Sequence, residues 1–366
     1  MLVVVQLTGG NDGLNTLVPA GDGRYFDARP TLGVADADVV ALPGTDRWGL
    51  HPELRPLLES WTRGDLVAVD ALGFPDQTRS HFAASDTWWS AAPQDGATTG
   101  WLGRWLDAGD HPENPLRAIA LGGGSPALAG ERARSTVVLD PASFTLRTPK
   151  GVDARTIRDA FLATAAPLDA SPLTAAAQLA VPSTLDAVDL LATAAARGDA
   201  DGAGGFGGEA KKGGNRYGLT ELLQTAAGLI DLDLGTQVIL VAGNGFDTHA
   251  DQATRHPQLL ADAAAGIAGF LDTMQQQGRA DEVLVITTSE FGRRVAENGS
   301  GTDHGDGNVQ FAIGPMVQGG QVIGEADLAK LHDGDVRSTI DSRSYARPRI
   351  SSATAGSPDS QSRAFA

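Results

Sequence analysis

Apolar runs and the residues that end them give the first outline of this chain. Seven short runs rich in Val, Ile and Leu, at residues 2–7, 66–71, 117–121, 135–139, 237–242, 283–288 and 309–313, have the length and composition of buried strands. Between them, stretches rich in Ala and Leu repeat apolar residues at three- and four-residue intervals, most clearly at 52–61, 219–232 and 257–276, and predict helices. Strands alternating with helices predict an α/β fold, a doubly wound and mostly parallel sheet with helices on both faces. Residues 1–335 read as a single domain. Within it, 141–196 carries few strand signals and reads as a helical excursion, while the Gly-rich stretch 197–214 has too little apolar surface to offset the entropy of ordering and reads as a mobile loop. From 336 to 366 the apolar period is lost among Ser, Arg, Ala and Pro, so an irregular, poorly ordered tail is expected.

The polar residues that follow the predicted strands carry the chemistry. In an open parallel sheet the carboxyl ends of the strands share one edge, so residues distant in sequence meet there. Asp12 follows the first run, Asp247 and His249 the run at 237–242, and Glu290 the run at 283–288; Asp303 and His304 sit in a glycine-bracketed segment beyond. Gly9, Gly10 and Gly13 let the backbone around Asp12 approach a ligand closely. Asp247 and His249, two positions apart, point to one side of an extended segment. Oxygen and imidazole ligands without cysteine suit a divalent metal, Zn²⁺, Mn²⁺, Mg²⁺ or Ca²⁺, as one or two ions. Arg293 is a candidate cationic clamp for a substrate oxyanion. Ser80 opens a predicted helix, where free N–H groups and the dipole favour an anion, and is the candidate nucleophile. Plainer roles stand beside these: Asp12 and Asp247 as caps, Ser80 as an N-cap with His81 packed nearby, Trp88 and Trp89 as core. His51, His111, His256 and His332, beside Pro or in polar loops, read as solvated surface residues.

Composition narrows the classes of function. With 28 basic against 45 acidic residues and a formal net charge of -17, nucleic acid and anionic membranes are excluded as general partners. A small anionic ester remains compatible, because bound metal supplies local positive charge without a basic surface. No run approaches the roughly 20 apolar residues of a membrane span. The chain has no cysteine, which excludes disulfides and thiol catalysis. It opens directly on a strand-like run, so the expectation is a cytoplasmic protein or one whose leader is absent.

Five ordered motifs, Gly9-Gly-Asn-Asp-Gly-Leu-Asn-Thr16, Arg79-Ser-His-Phe82, Gly245-Phe-Asp-Thr-His249, Ser289-Glu-Phe-Gly-Arg293 and Thr302-Asp-His-Gly305, closely resemble the bacterial family called domain of unknown function fifteen-oh-one, over residues 1 to about 335. That family in turn looks like a remote branch of the alkaline phosphatase and sulfatase superfamily, whose members hold one or two metals at strand ends and attack an ester with Ser, Thr or a modified Cys. The resemblance implies an alkaline-phosphatase-like core. It matches Asp12 to the first-strand metal ligand, Ser80 to the nucleophile, and Asp247 with His249 to the ligands of one metal centre. Glu290 falls where the superfamily has an Asp-His pair, with Phe291 in the histidine's place. The resemblance therefore implies a second metal that is lost or differently ligated, with Asp303 and His304 compensating. Many relatives carry a twin-arginine leader, which implies export when such a leader precedes this chain. They also continue past residue 335 into a final helix, whereas Thr339-Ile-Asp-Ser-Arg-Ser344 here leads into the unpatterned tail.

Taken together, these features predict a metal-dependent hydrolase of phosphate or sulfate esters, with metal at Asp12, Asp247, His249, Glu290, Asp303 and His304, Ser80 as nucleophile and Arg293 as clamp. The rival is a non-catalytic exported binding or assembly protein that keeps the fold and at most a structural metal, and whose partner is another exported protein.

Overall fold

The computed structural model describes residues 1–74, 76–92, 98–110, 114–138, 144, 146, 148–165, 174, 178, 180–191 and 217–345. All seven predicted strands are present: β1 (Leu2–Thr8), β5 (Leu66–Gly73), β6 (Ala118–Leu121), β7 (Thr136–Val138), β8 (Val238–Asn244), β9 (Leu284–Thr288) and β10 (Asn308–Ile313). Five shorter strands join them: β2 (Leu17–Pro19), β3 (Val40–Ala41), β4 (Trp48–Leu50), β11 (Gln321–Ile323) and β12 (Ile340–Asp341). The main sheet has nine strands in the order β11-β5-β10-β9-β1-β8-β6-β7, with β12 also on β5; β2, β4 and β3 form a separate small sheet. Every pair in the main sheet is parallel except those of β10 with β5 and β9. The expected α/β fold with a mostly parallel sheet is therefore what the chain adopts.

Side-chain alternation along β1 explains why helices cover both faces. Val3, Val5 and Leu7 enter one core with Leu222, Leu223, Leu260, Ile267 and Phe270 from the helices Leu219–Asp231 and Gln252–Gln276. Leu2 and Val4 enter a second core with Trp88, Leu102 and Leu106 from the helices His81–Ser90 and Trp101–Ala108. Trp88 is thus core, as read from the sequence.

Strand direction gathers the motifs. β9, β1 and β8 are adjacent and parallel, so the turns after Thr288, Thr8 and Asn244 leave one edge. β10 runs the opposite way, so the segment 302–307 enters the sheet at that same edge, and β5, antiparallel to β10, leads to residues 76–81 there as well.

Parts of the predicted domain plan meet these residues. Helices occupy Ala154–Ala163 and 180–191 of the predicted excursion, while the Gly-rich loop 197–214 and residues 346–366 lie outside the described residues. Expected to be irregular, 336–345 is instead built into the fold. β12 pairs with β5, Val336 and Tyr345 are buried, and Tyr345 donates its hydroxyl hydrogen bond to the carbonyls of Thr287 (3.1 Å) and Phe311 (2.8 Å) on β9 and β10. Tyr345→Ala is expected to lower unfolding free energy by about 3–5 kcal/mol and Tyr345→Phe by about 1 kcal/mol in urea denaturation.

Candidate metal centre

Backbone crowding sets the site. A Cβ on Gly9 (φ +122°) would lie 2.2 Å from the backbone nitrogen of Asp247, so only glycine lets the turns after β1 and β8 press together. Arg293 locks them. Its Nε donates to the Gly10 carbonyl (2.6 Å), Nη1 to the Thr302 carbonyl (2.8 Å), and Nη2 to the carbonyls of Gly9 and Phe246 and to Asp247 Oδ1 (2.7 Å). Arg293, expected as an oxyanion clamp, is instead a brace: the guanidinium is fully buried and all three of its nitrogens are engaged within the protein.

Three histidines converge on Asp247. His304 Nε2 lies 3.1 Å and His249 Nε2 3.2 Å from Oδ1, and His81 Nε2 lies 3.5 Å from Oδ2. Each of these rings has an acceptor at its other nitrogen: Glu290 Oε1 at His81 Nδ1 (2.9 Å), the Arg79 carbonyl at His304 Nδ1 (2.8 Å), and Asp303 Oδ1 at His249 Nδ1 (3.1 Å). In a neutral imidazole the acceptor fixes the proton on Nδ1 and leaves a lone pair on Nε2. The Nε2 atoms of His249 and His304 are 2.8 Å apart, so two lone pairs and a carboxylate face one another at hydrogen-bonding range. That arrangement repels unless a cation lies among them. Burial also holds His304 below its ordinary pKa despite the adjoining Asp247 carboxylate, which disfavours a second proton as that cation. Burial alone would raise Asp247, but the hydrogen bond and charge of Arg293 together with the adjoining His304 outweigh it and bring its pKa down to about 2. The donor set therefore fits a divalent metal; His81, Asp247 and His304 present ligand atoms within 4.8 Å of one another.

The residues singled out from sequence divide by position. Asp247, His249 and His304 face the common point. Glu290 and Asp303, expected as ligands, stand one bond behind it, as the groups that orient His81 and His249. Glu290 Oε1 also accepts from the backbone N–H of Gly9 (2.9 Å). Asp12, also expected as a ligand, is fully buried in a neighbouring polar network, paired with Arg29 (2.6 Å) and bonded to Gln252. Ser80 is exposed at the N-cap of the helix His81–Ser90, and its side chain makes no capping hydrogen bond. Sequence reasoning missed His81. Its only signal was its place in Arg79-Ser-His-Phe82, since the Glu290 that orients it lies 209 positions away. Phe291 is a buried platform whose ring centre lies 4.4 Å from that of His304 and 4.9 Å from that of His81.

Two histidines read as surface residues are corrected. His51 and His256 are buried, and burial lowers both to about 4; His332 is exposed, and His111 lies outside the described residues. His51 accepts at Nδ1 from the Glu53 N–H, and His256 Nε2 pairs with Asn11 Oδ1 (3.0 Å).

A family model described as "Protein of unknown function (DUF1501)" matches residues 45–342. The chain belongs to that family. The match takes in four of the five motifs; Gly9-Gly-Asn-Asp-Gly-Leu-Asn-Thr16 precedes it. No curated protein sequence matches this DUF1501 chain. Solved structures similar to it include the lipoteichoic acid synthase LtaP from Listeria monocytogenes (8% identity, TM-score 0.39, covering 89% of this chain and 66% of that one). Others are a protein in the alkaline phosphatase superfamily from Vibrio parahaemolyticus (8%, 0.40, 89% and 63%) and the PsFucS1 sulfatase from Pseudoalteromonas sp. (12%, 0.34, 89% and 65%). The DUF1501 chain thus spans slightly less than two thirds of the length of each. Among its described residues no helix is long and apolar enough to cross a membrane.

The buried histidines make stability depend on pH. Both have folded pKa values below the ordinary 6.5, so the unfolded chain binds more protons between about 6.5 and 4, and their contribution, complete above 6.5, is lost as pH falls through about 4. Asp247, depressed from 3.8, adds its own loss only as pH falls toward about 2. Urea denaturation between pH 7 and 4 is expected to show falling stability, with a shallower slope for His256→Gln, which keeps a donor for Asn11.

Proposed function

We propose that this chain is a metal-dependent hydrolase of phosphate or sulfate esters, and that His81, Asp247, His249 and His304 would hold one divalent ion. The observation that carries the reading is the convergence of three Nε2 atoms on one carboxylate, each ring held from behind by an acceptor. Three imidazoles and a carboxylate suit zinc best among the divalent candidates. When bound, such an ion polarises an ester oxygen and supplies the positive charge that an anionic substrate needs.

The surrounding residues support that need. Arg293 is locked inside, Arg79 is paired with Asp333 and Asp335, and the carboxylates of Asp247 and Asp303 remain partly open to solvent. An anionic ester approaching this face meets mostly negative charge from the side chains themselves. The amino end of the helix His81–Ser90 offsets this by directing free N–H groups toward the substrate, in the role first assigned to Arg293. In this reading Ser80, exposed beside His81, attacks phosphorus or sulfur. Its Oγ bonds to the ester centre as the bond to the alcohol breaks, the alcohol leaves with the hydroxyl proton, and water then releases the acid.

Elemental analysis of the purified full chain is expected to find one divalent equivalent, absent from Asp247→Ala and His304→Ala. Glu290→Ala should weaken metal affinity by about 10–100-fold, because His81 loses its orienting acceptor. Ser80→Ala should retain the metal yet lose turnover of an aryl phosphate or aryl sulfate. Full turnover by Asp247→Ala would overturn the metal reading, and wild-type protein that takes up no divalent ion would leave the non-catalytic binding role in its place.

A further inference from the structure

The histidine cluster rests on a buried amide to which the metal reading gives no part. Gln252 opens the helix Gln252–Gln276 and is only 1% exposed. Its side chain bonds to Thr248, Thr302 and Asp12 rather than to a candidate ligand. The amide nitrogen donates to Asp12 Oδ2, and the amide oxygen accepts from two hydroxyls, Thr302 Oγ1 at 2.7 Å and Thr248 Oγ1 at 3.2 Å. An ionised carboxylate only accepts, which fixes which way round the amide sits.

Both threonines are fully buried, and each belongs to a segment that supplies candidate ligands. Thr248 stands between Asp247 and His249, and Thr302 directly precedes Asp303 and His304. One amide therefore ties the two segments to each other and to the buried Arg29–Asp12 pair. The backbone repeats the tie: the Thr302 N–H donates to the Thr248 carbonyl (3.3 Å), and the Gln252 N–H to the Ser300 carbonyl (3.0 Å). Arg293 grips Thr302 as well, through its carbonyl (2.8 Å). Stability alone does not call for so polar an arrangement, since apolar groups of the same shape in place of both hydrogen-bonding partners are often neutral or stabilising. What directional hydrogen bonds add is a fixed spacing. Here the spacing is that between His249 and His304, whose Nε2 atoms stand 2.8 Å apart.

We propose, resting on the metal reading above, that Gln252 is a positioning residue for the centre, holding the turn after β8 and the segment before β10 at the separation a divalent ion requires. Titration of the metal-stripped full chain with Zn²⁺ against a competing chelator tests this. Gln252→Met, similar in size but unable to accept either hydroxyl, is expected to bind Zn²⁺ at least about tenfold more weakly with every candidate ligand in place. Thr302→Val should weaken binding in the same direction, and Thr302→Ser, which keeps the hydroxyl, should restore it. Tyr345→Phe removes hydrogen bonds to β9 and β10 but none from the cluster, and should bind as the wild type does. Wild-type affinity in Gln252→Met, or equal losses in Thr302→Val and Thr302→Ser, overturns the proposal and leaves the metal reading standing. A matching loss in Tyr345→Phe makes Gln252 a support of the fold alone and overturns it equally. If Gln252→Met does not fold, the two Thr302 variants decide. Wild-type protein that takes up no Zn²⁺ overturns the proposal together with the metal reading, so the two failures are told apart.

Discussion

One buried guanidinium organises the working edge of this fold. Arg293 has no water around it, so its N–H groups must find acceptors within the protein, and those they find are the backbone carbonyls at the ends of three separate segments together with Asp247. The turns after β1 and β8 and the segment containing Thr302 are thereby held to a single buried guanidinium. The Arg29–Asp12 pair does similar work beneath, with both side chains removed from solvent. Removing one member of such a pair strands the other inside the protein, so these contacts tolerate little rearrangement. The strong cations of the region thus act from inside as braces, while the open surface is left to imidazoles and carboxylates.

That division explains why the histidines are so well defined. Their rings are fixed at both ends, by acceptors at Nδ1 and by Asp247 beyond Nε2, and two of them also lie against the Phe291 ring. The three imidazoles come from the start of a helix after β5, the turn after β8 and the segment before β10.

How much of this was legible in sequence follows from how local each signal is. The seven predicted strands announce themselves because each lies in a run of five or six mostly apolar residues, though β7 itself spans only Thr136–Val138, and their order along the chain predicts the shared edge. β2, β3, β4, β11 and β12, of two or three residues each, are too short to show a period; they are strands because a neighbour pairs with them. Asp247, His249 and His304 could be found from strand-end placement. Whether Glu290 or Asp303 touches the centre or stands behind it could not, since that depends on contacts with partners 209 and 54 positions away. Arg293 was misread for the same reason: an arginine after a strand end is a clamp if its tip is open and a brace if it is closed in, and only packing decides. His256 looked exposed beside Pro257, yet the helix begins a turn earlier, at Gln252, and carries that histidine into the interior.

The position of β1 has a bearing on biosynthesis. It is translated long before the segments that hydrogen-bond it on its two sides, which begin at residues 238 and 284. Contacts so remote in sequence form slowly and cannot form at all until most of the polypeptide exists. A nascent chain therefore displays the glycine turn and His81 long before it has anything to set beside them, and the centre comes into being in one late step rather than by gradual accretion.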